Sequence, residues 1–272
     1  MSISSVRIDG PRRQDTPVTT NAWQPDPRKG VFETLLVVDG EPVELDAHLA
    51  RLRRTLGEVY EADLPAESRE ELIAAAEGIS LGRLRLTIVP GEDCLRHDLL
   101  AGGVVPEAVF PARGARLQSH QVKGGHGAHK WVDRRGMEHP DVGPGQLIRD
   151  GDELLEAGWA NLFAIREETL WTPPADGRIL AGTARAAVLA IAAEEGIETR
   201  EQPLYAADLP TAEETFLTNS IRGVEPATAL DGAALPGSGP LSRRLADALR
   251  RRWGLPARKA AATAPKQSQL SR

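Results

Sequence analysis

The run VFETLLVV at 31–38 is apolar at nearly every position and rich in β-branched residues, which predicts a strand. Asp39-Gly40 is a two-residue hairpin signal, with EPVEL at 41–45 as the returning strand. The period then lengthens: His48, Leu49, Leu52 and Leu56 recur at helical spacing, and Asp46 is placed to cap that helix. A second helix over 66–77 stops near Gly78. LRLTIV at 84–89 alternates as a strand and ends at Pro90-Gly91, and AVF at 108–110 is a further candidate strand. Apolar content drops over 111–123, the expected boundary between two domains.

The second half predicts a helix near 133–137, a loop rich in Pro and Gly, and strands at 146–149, 153–155 and 161–165. LWT at 170–172 precedes a turn at Pro173-Pro174 and Asp176-Gly177. The alanine-rich segment 183–195, with Val188, Leu189 and Ile191 and a stop at Gly196, predicts a helix. A strand at 214–218 and a basic amphipathic helix at 241–252 complete the pattern. A short strand is expected at 4–8, and 257–272 has too little hydrophobicity to fold alone. The domain expectation is thus 1–115, 116–256 and a disordered tail at 257–272.

Composition narrows the class. The chain has 272 residues, 41% hydrophobic and 26% charged, as in an ordinary globular protein. A net charge of −6 gives no bulk attraction for nucleic acid. Cys94 is the only cysteine, which excludes an internal disulfide and a thiolate metal cluster. No apolar run approaches the roughly 18 residues of a membrane helix. The first residues lack the apolar core of a signal peptide, so a cytoplasmic enzyme with neither nucleic-acid nor membrane partner is expected.

Only five lysines accompany the arginines, and one of them, Lys130, ends the glycine-rich run GGHGAHK at 124–130. Unlike arginine, a lysine can lose its proton when desolvated and then act as base or Schiff-base former. Gly182-Thr183-Ala184-Arg185 opens the alanine-rich helix, where free N–H groups suit an anion, although a plain turn into a helix has the same sequence. Ser220 and its neighbours, after the strand at 214–218, offer a second such loop or an ordinary Asn/Ser turn. Arg51, one turn after His48, suits bidentate phosphate binding. Glu156 interrupts a largely apolar stretch; it is either a buried carboxylate needing a partner such as a protonated ring nitrogen, or a turn-edge carboxylate facing water. His126 and His129 lack a third ligand nearby, so no metal site is expected.

A phosphate, a ring nitrogen and an aldehyde for the lysine together describe pyridoxal 5′-phosphate. The strings GVFET (30–34), LDAHLARL (45–52), Lys130 with Asp133-Arg134, EAGWANLF (156–163), ILAGTAR (179–185) and NSIRGVEP (219–226) occur in the order of the class IV aminotransferases, which the chain resembles from about Gly30 to Gly232. That family includes branched-chain and D-amino-acid aminotransferases and 4-amino-4-deoxychorismate lyase. The resemblance implies an α+β, fold-type IV enzyme with a small N-terminal α/β domain and a larger β-barrel-like domain, working as a homodimer. It implies that Lys130 is the Schiff-base lysine and Glu156 the partner of the ring nitrogen. Arg51, Thr183, Ala184, Ser220 and Ile221 would hold the phosphate, with Arg134 near the cofactor.

TNSIRGV (218–224) and GAHKWVDR (127–134) look more like the lyase members, which release pyruvate and 4-aminobenzoate, than like the aminotransferases. An aminotransferase of D- or branched-chain amino acids and a non-catalytic cofactor-binding relative are the alternatives. Two stretches depart from the family: DPRKG (26–30) stands where Gly-Asp-Gly is common, and PGEDCLR (90–96) where many lyases are rich in Arg and Gly. Both would border the substrate, which leaves Arg28, Arg85, Arg96 and Arg222 as candidate anion partners.

Overall fold

The computed structural model describes residues 24–92, 94–135 and 145–257. The strand expected at 4–8 and the tail beyond Ala257 lie outside them. β1 (Val31–Val38) turns at Asp39 and Gly40, whose φ values of 48° and 85° are those a primed two-residue hairpin turn needs. The returning strand β2 is only Glu41–Pro42, because Pro42 has no N–H for the ladder and Glu44 at φ 51° ends the extended run. α1 (Leu45–Tyr60) starts there. Asp46 does not cap it; it sits in the first turn and pairs with Arg69.

α2 (Ser68–Ala76) and β3 (Leu81–Pro90) follow near their expected places. β4 (Leu95–Gly103) is an addition, paired antiparallel with β3 along its whole length. It is the edge of a sheet ordered β2-β1-β3-β4, largely exposed, so its sequence carries no buried pattern. Residues 108–110 are not a strand. Pro106–Ala108 forms a 3-10 turn, and Phe110, at φ 52°, packs edge-on against Trp253 at 5.4 Å.

β1 is buried on both faces, which is why its sequence is apolar throughout. Val31, Leu35 and Val37 pack with Leu49, Leu52 and Leu56 of α1, whereas Leu36 and Val38 join a second core around Phe163 and Val188. That second core belongs to the larger sheet.

The larger sheet comprises β5 (Ala115–Gln121), β6 (Gln146–Asp150), β7 (Glu153–Ala157), β8 (Ala160–Arg166), β9 (Thr169–Thr172), β10 (Thr199–Glu201), β11 (Leu204–Tyr205), β12 (Glu214–Asn219), β13 (Gly223–Leu230) and β14 (Ala233–Ala234). Its order is β10-β9-β8-β12-β13-β5-β6-β7-β11, and β8 also pairs with β7. The loop β8-β12-β13-β5-β6-β7 therefore closes on itself, giving the α+β architecture of a small sheet beside a barrel-like one. The helices α3 (Thr183–Glu194) and α4 (Pro240–Arg252) pack on it through Val188, Ile191, Leu245 and Leu249. Asp133 and Arg134 are not helical; the end of the helix expected at 133–137 lies outside the described residues.

Candidate active site

Lys130 is fixed through its backbone. Phe32 N–H donates to Lys130 O at 2.9 Å and Val132 N–H to Gly30 O at 3.0 Å, which stitches the lysine to the start of β1. Gly30 is required there: its φ is 90°, and a Cβ would stand 2.1 Å from Ile88 O. On the other side, Gly127 N–H donates to Arg178 O at 3.2 Å. The amine itself has no hydrogen bond among the described residues. Its Nζ stands 4.9 Å from the centroid of the Phe32 ring, which also carries Arg85 at 3.8 Å and Arg134 at 5.7 Å. Burial brings the Lys130 amine down to about 8; Glu33 opposes this, and Arg51, Arg134 and Arg85 add to it.

Glu156, at the end of β7, is buried. Its carboxyl accepts from Leu180 N–H at 3.2 Å and from Asn161 Nδ2 at 3.3 Å, and Asn161 Nδ2 also donates to Leu180 O at 2.9 Å. These bonds are long. Burial raises the carboxyl to about 8, against the lowering effect of the Leu180 hydrogen bond and of Arg134 and Arg51.

The segment from Arg178 to Thr183 joins these parts, because its backbone meets Gly127, Glu156, Asn161 and Arg51 in turn. It leads into the N-terminus of α3, whose cap residue Gly182 has no side chain to satisfy the first N–H groups. Arg51 donates from Nη1 to Ala181 O at 3.0 Å, and from Nε and Nη2 to Glu33 at 2.7 and 2.6 Å. Arg51 thus keeps one N–H on each Nη free of these bonds. Glu33 also accepts from His48 Nδ1 at 2.7 Å, and His48 Nε2 lies 3.2 Å from Thr183 Oγ1. Burial opposes charge on Glu33, yet Arg51 and His48 hold its carboxyl well below the usual carboxylate range.

At the second loop the donors are largely engaged. Ser220 Oγ donates to Thr34 O at 2.9 Å, and Asn219 Oδ1 accepts from Ile221 N–H at 2.8 Å and Arg222 N–H at 3.2 Å. Thr218 Oγ1 is buried there without a partner among the described residues.

Lys130, Arg51, Arg134, Glu156, Thr183, Ala184, Ser220 and Ile221 all line one cavity of about 280 Å³. Of the four candidate anion partners, only Arg85 reaches it. Arg28 pairs with Asp26 and Arg222 with Glu225, while Arg96 is exposed on β4. Arg85 has no hydrogen bond or ion pair among the described residues. His129 also lines the cavity and turns its ring to Thr55 at 3.2 Å and Glu58 at 3.6 Å. The buried pair Glu33 and His48 was missed by the sequence reading. Its signal was present: a carboxylate inside VFETLLVV, and a histidine on the apolar stripe of α1 one turn before Arg51.

The profile of the class IV amino-transferases matches residues 30–102 and 112–230, which take in nearly all of both sheets and every residue named above on the cavity. The chain belongs to the class IV aminotransferases. They are enzymes dependent on pyridoxal 5′-phosphate. A D-alanine aminotransferase of Listeria monocytogenes serotype 4b (strain F2365) is 22% identical over 243 residues, 79% of this chain and 84% of the relative. The 4-amino-4-deoxychorismate lyase from Pseudomonas aeruginosa superposes with a TM-score of 0.69 at 28% identity, covering 82% of this chain and 90% of that one. The PLP-bound form of a hypothetical aminotransferase from Mycobacterium tuberculosis gives a TM-score of 0.72 at 21% identity, covering 83% and 89%.

Proposed function

We propose that this class IV aminotransferase binds pyridoxal 5′-phosphate in the cavity and acts as a 4-amino-4-deoxychorismate lyase, forming 4-aminobenzoate, a folate precursor, and pyruvate. The residues present fit the cofactor. Unbonded helix N–H groups at Thr183 and Ala184, beside Arg51, suit its phosphate. The partnerless Thr218 hydroxyl is a spare donor at the same cavity. An amine held near its midpoint suits its aldehyde, and the loosely bonded Glu156 suits its ring nitrogen. At the second loop, the engaged Ser220 hydroxyl and Ile221 N–H leave the Ser220 N–H as the contact for the phosphate.

When bound, the cofactor supplies an aldehyde that condenses with amines and a ring that accepts an electron pair. Glu156 would hold a proton on the ring nitrogen of the bound cofactor, keeping that ring electron-poor. Lys130 Nζ takes the proton from the substrate carbon bearing nitrogen. Its lowered basicity leaves part of the amine free at neutral pH. In the lyase reading the neighbouring carbon–oxygen bond then breaks; in the transfer reading Lys130 Nζ hands the proton on instead.

The observation that favours the lyase is Arg85. It adds a guanidinium that is unpaired among the described residues to a cavity in which Arg51 already serves the phosphate end, and Arg134 stands 5.7 Å from the same Phe32 ring. A substrate with two carboxylates uses that excess of positive charge. The similarity to the Pseudomonas aeruginosa lyase supports the same choice. The D-alanine aminotransferases, matched over most of their length, support amino-group transfer as the second reading. Purified protein given 4-amino-4-deoxychorismate is expected to release 4-aminobenzoate and pyruvate in equal amounts. Transfer of the amino group from D-alanine to a 2-oxo acid, with no 4-aminobenzoate, overturns the lyase reading.

A further inference from the structure

Behind the anion end of the cavity lies a buried chain of four side chains, Arg51, Glu33, His48 and Thr183, none more than 6% exposed. Glu33 Oε2 accepts from both Arg51 Nη2 at 2.6 Å and His48 Nδ1 at 2.7 Å. An ionised carboxylate can only accept, so His48 Nδ1 carries the hydrogen. The tautomer of the neutral ring is then fixed: Nε2, 3.2 Å from Thr183 Oγ1, is an acceptor. Thr183 has one hydroxyl hydrogen. With His48 neutral, that hydrogen points at Nε2, and only oxygen lone pairs face the cavity. With His48 doubly protonated, Nε2–H donates to Oγ1, and the hydroxyl hydrogen is released toward the N-terminus of α3.

We propose that His48 is a positioning residue that takes up a proton from solvent when an anion docks at the N-terminus of α3, turning the Thr183 hydroxyl from a donor to His48 into a donor to the anion. The inference rests on the reading that this helix end holds the cofactor's phosphate, and it extends that reading to a residue that touches no ligand. The charged groups facing His48 are Glu33 from β1, Arg51 from its own helix and Lys130 from the loop after β5. Burial holds the imidazole below its ordinary value, with Glu33 opposing. The ligand-free ring is therefore neutral near pH 7, and the anion supplies the field that recharges it.

The test uses the cofactor-free full chain with ¹⁵N-labelled histidine, His48 being assigned by comparison with His48→Gln. Sodium sulfate is the probe, because its charge is constant from weakly acidic to weakly basic pH. Saturating sulfate is expected to move His48 Nε2 from the unprotonated to the protonated ¹⁵N shift near neutral pH, an increase of about tenfold or more in proton affinity. In Thr183→Val, where only the direct field of the anion remains, the increase should fall below about threefold. A ring whose Nε2 stays unprotonated with sulfate bound overturns the proposal. So does an equal increase in wild type and Thr183→Val. Absence of any sulfate effect on the Thr183 and Ala184 amides, read in a second, uniformly ¹⁵N-labelled sample, also overturns it. The cofactor reading fails separately, if borohydride traps no pyridoxal 5′-phosphate on Lys130 while the sulfate response is intact.

Discussion

Lys130 and Glu156 come to about the same proton affinity from opposite directions, and this makes their pH dependence distinctive. Glu156, raised to about 8 by burial, keeps a proton in the folded state that the unfolded chain loses from 4.5 upward. Stability therefore falls as pH rises across that window. Lys130, lowered from 10.5 to about 8, is neutral in the fold where the unfolded chain is still charged, so stability recovers above about 8. Urea midpoints of the cofactor-free protein should pass through a minimum near pH 8, with an acid-side decline on the order of a few kcal/mol. Glu156→Gln should flatten that decline and leave the alkaline recovery; equal slopes in both proteins would refute the assignment. Lys130→Ala should abolish the borohydride-trapped adduct and lower turnover about a thousandfold or more. An adduct that persists in the variant would move the Schiff base to another lysine. Lys130 and Glu156 were legible in the sequence because each breaks its local pattern, a rare lysine after glycines and a charge among apolar residues. Glu33 and His48 break their patterns equally. Their meaning needs β1 laid against α1, a pairing that local spacing does not specify.

At the scale of elements, legibility followed burial. β1 and α3 were readable because both are packed densely enough to dictate their residues. β10 and β14 carry only exposed side chains, and β4 carries none that is fully buried, with Leu95 and Leu99 half-buried on the core; these strands depend on a neighbour's backbone, so the sequence holds little periodic signal for them. β5 lies in the stretch where apolar content drops, for the same reason: its place comes from pairing with β13 and β6. The glycine run before Lys130 is a different case, readable as special but not as to why. Gly125 has φ 70°, and a Cβ on it would stand 2.1 Å from Arg178 O. The run is thus a surface that lets the lysine loop lie flat on the segment leading to α3. Gly125→Ala should destabilise the protein by about 1–3 kcal/mol from backbone strain alone, seen in the urea midpoint. It should also lower the yield of trapped cofactor by displacing Lys130 from the cavity. An unchanged midpoint and yield would show that the loop does not depend on this contact.

The two sheets together leave one face of the small sheet unfinished. Thr34, Arg85 and Leu100 are successive neighbours across β1, β3 and β4, so all three side chains stand on the same face. Thr34 and Arg85 line the cavity, whereas Leu100 is 58% exposed and Val105, just beyond β4, is 65% exposed. Two exposed apolar side chains, Leu100 beside Arg85 and Val105 beyond β4, therefore stand in solvent next to the cavity rim, where a second copy of the chain would cover them. A homodimer built on this face would put the partner beside the substrate end of the cavity, next to Arg85, and away from the phosphate end at α3. Light scattering on the wild type should give twice the chain mass. Leu100→Asp should raise the dimer dissociation constant by about tenfold or more, as expected for a charge placed in an apolar contact. Because the partner would shape the substrate end, the same variant should raise KM more than it lowers the amount of trapped cofactor. A monomeric wild type, or a Leu100→Asp protein with unchanged mass and KM, would remove this face from the assembly and leave Arg85 to meet the substrate from one chain alone.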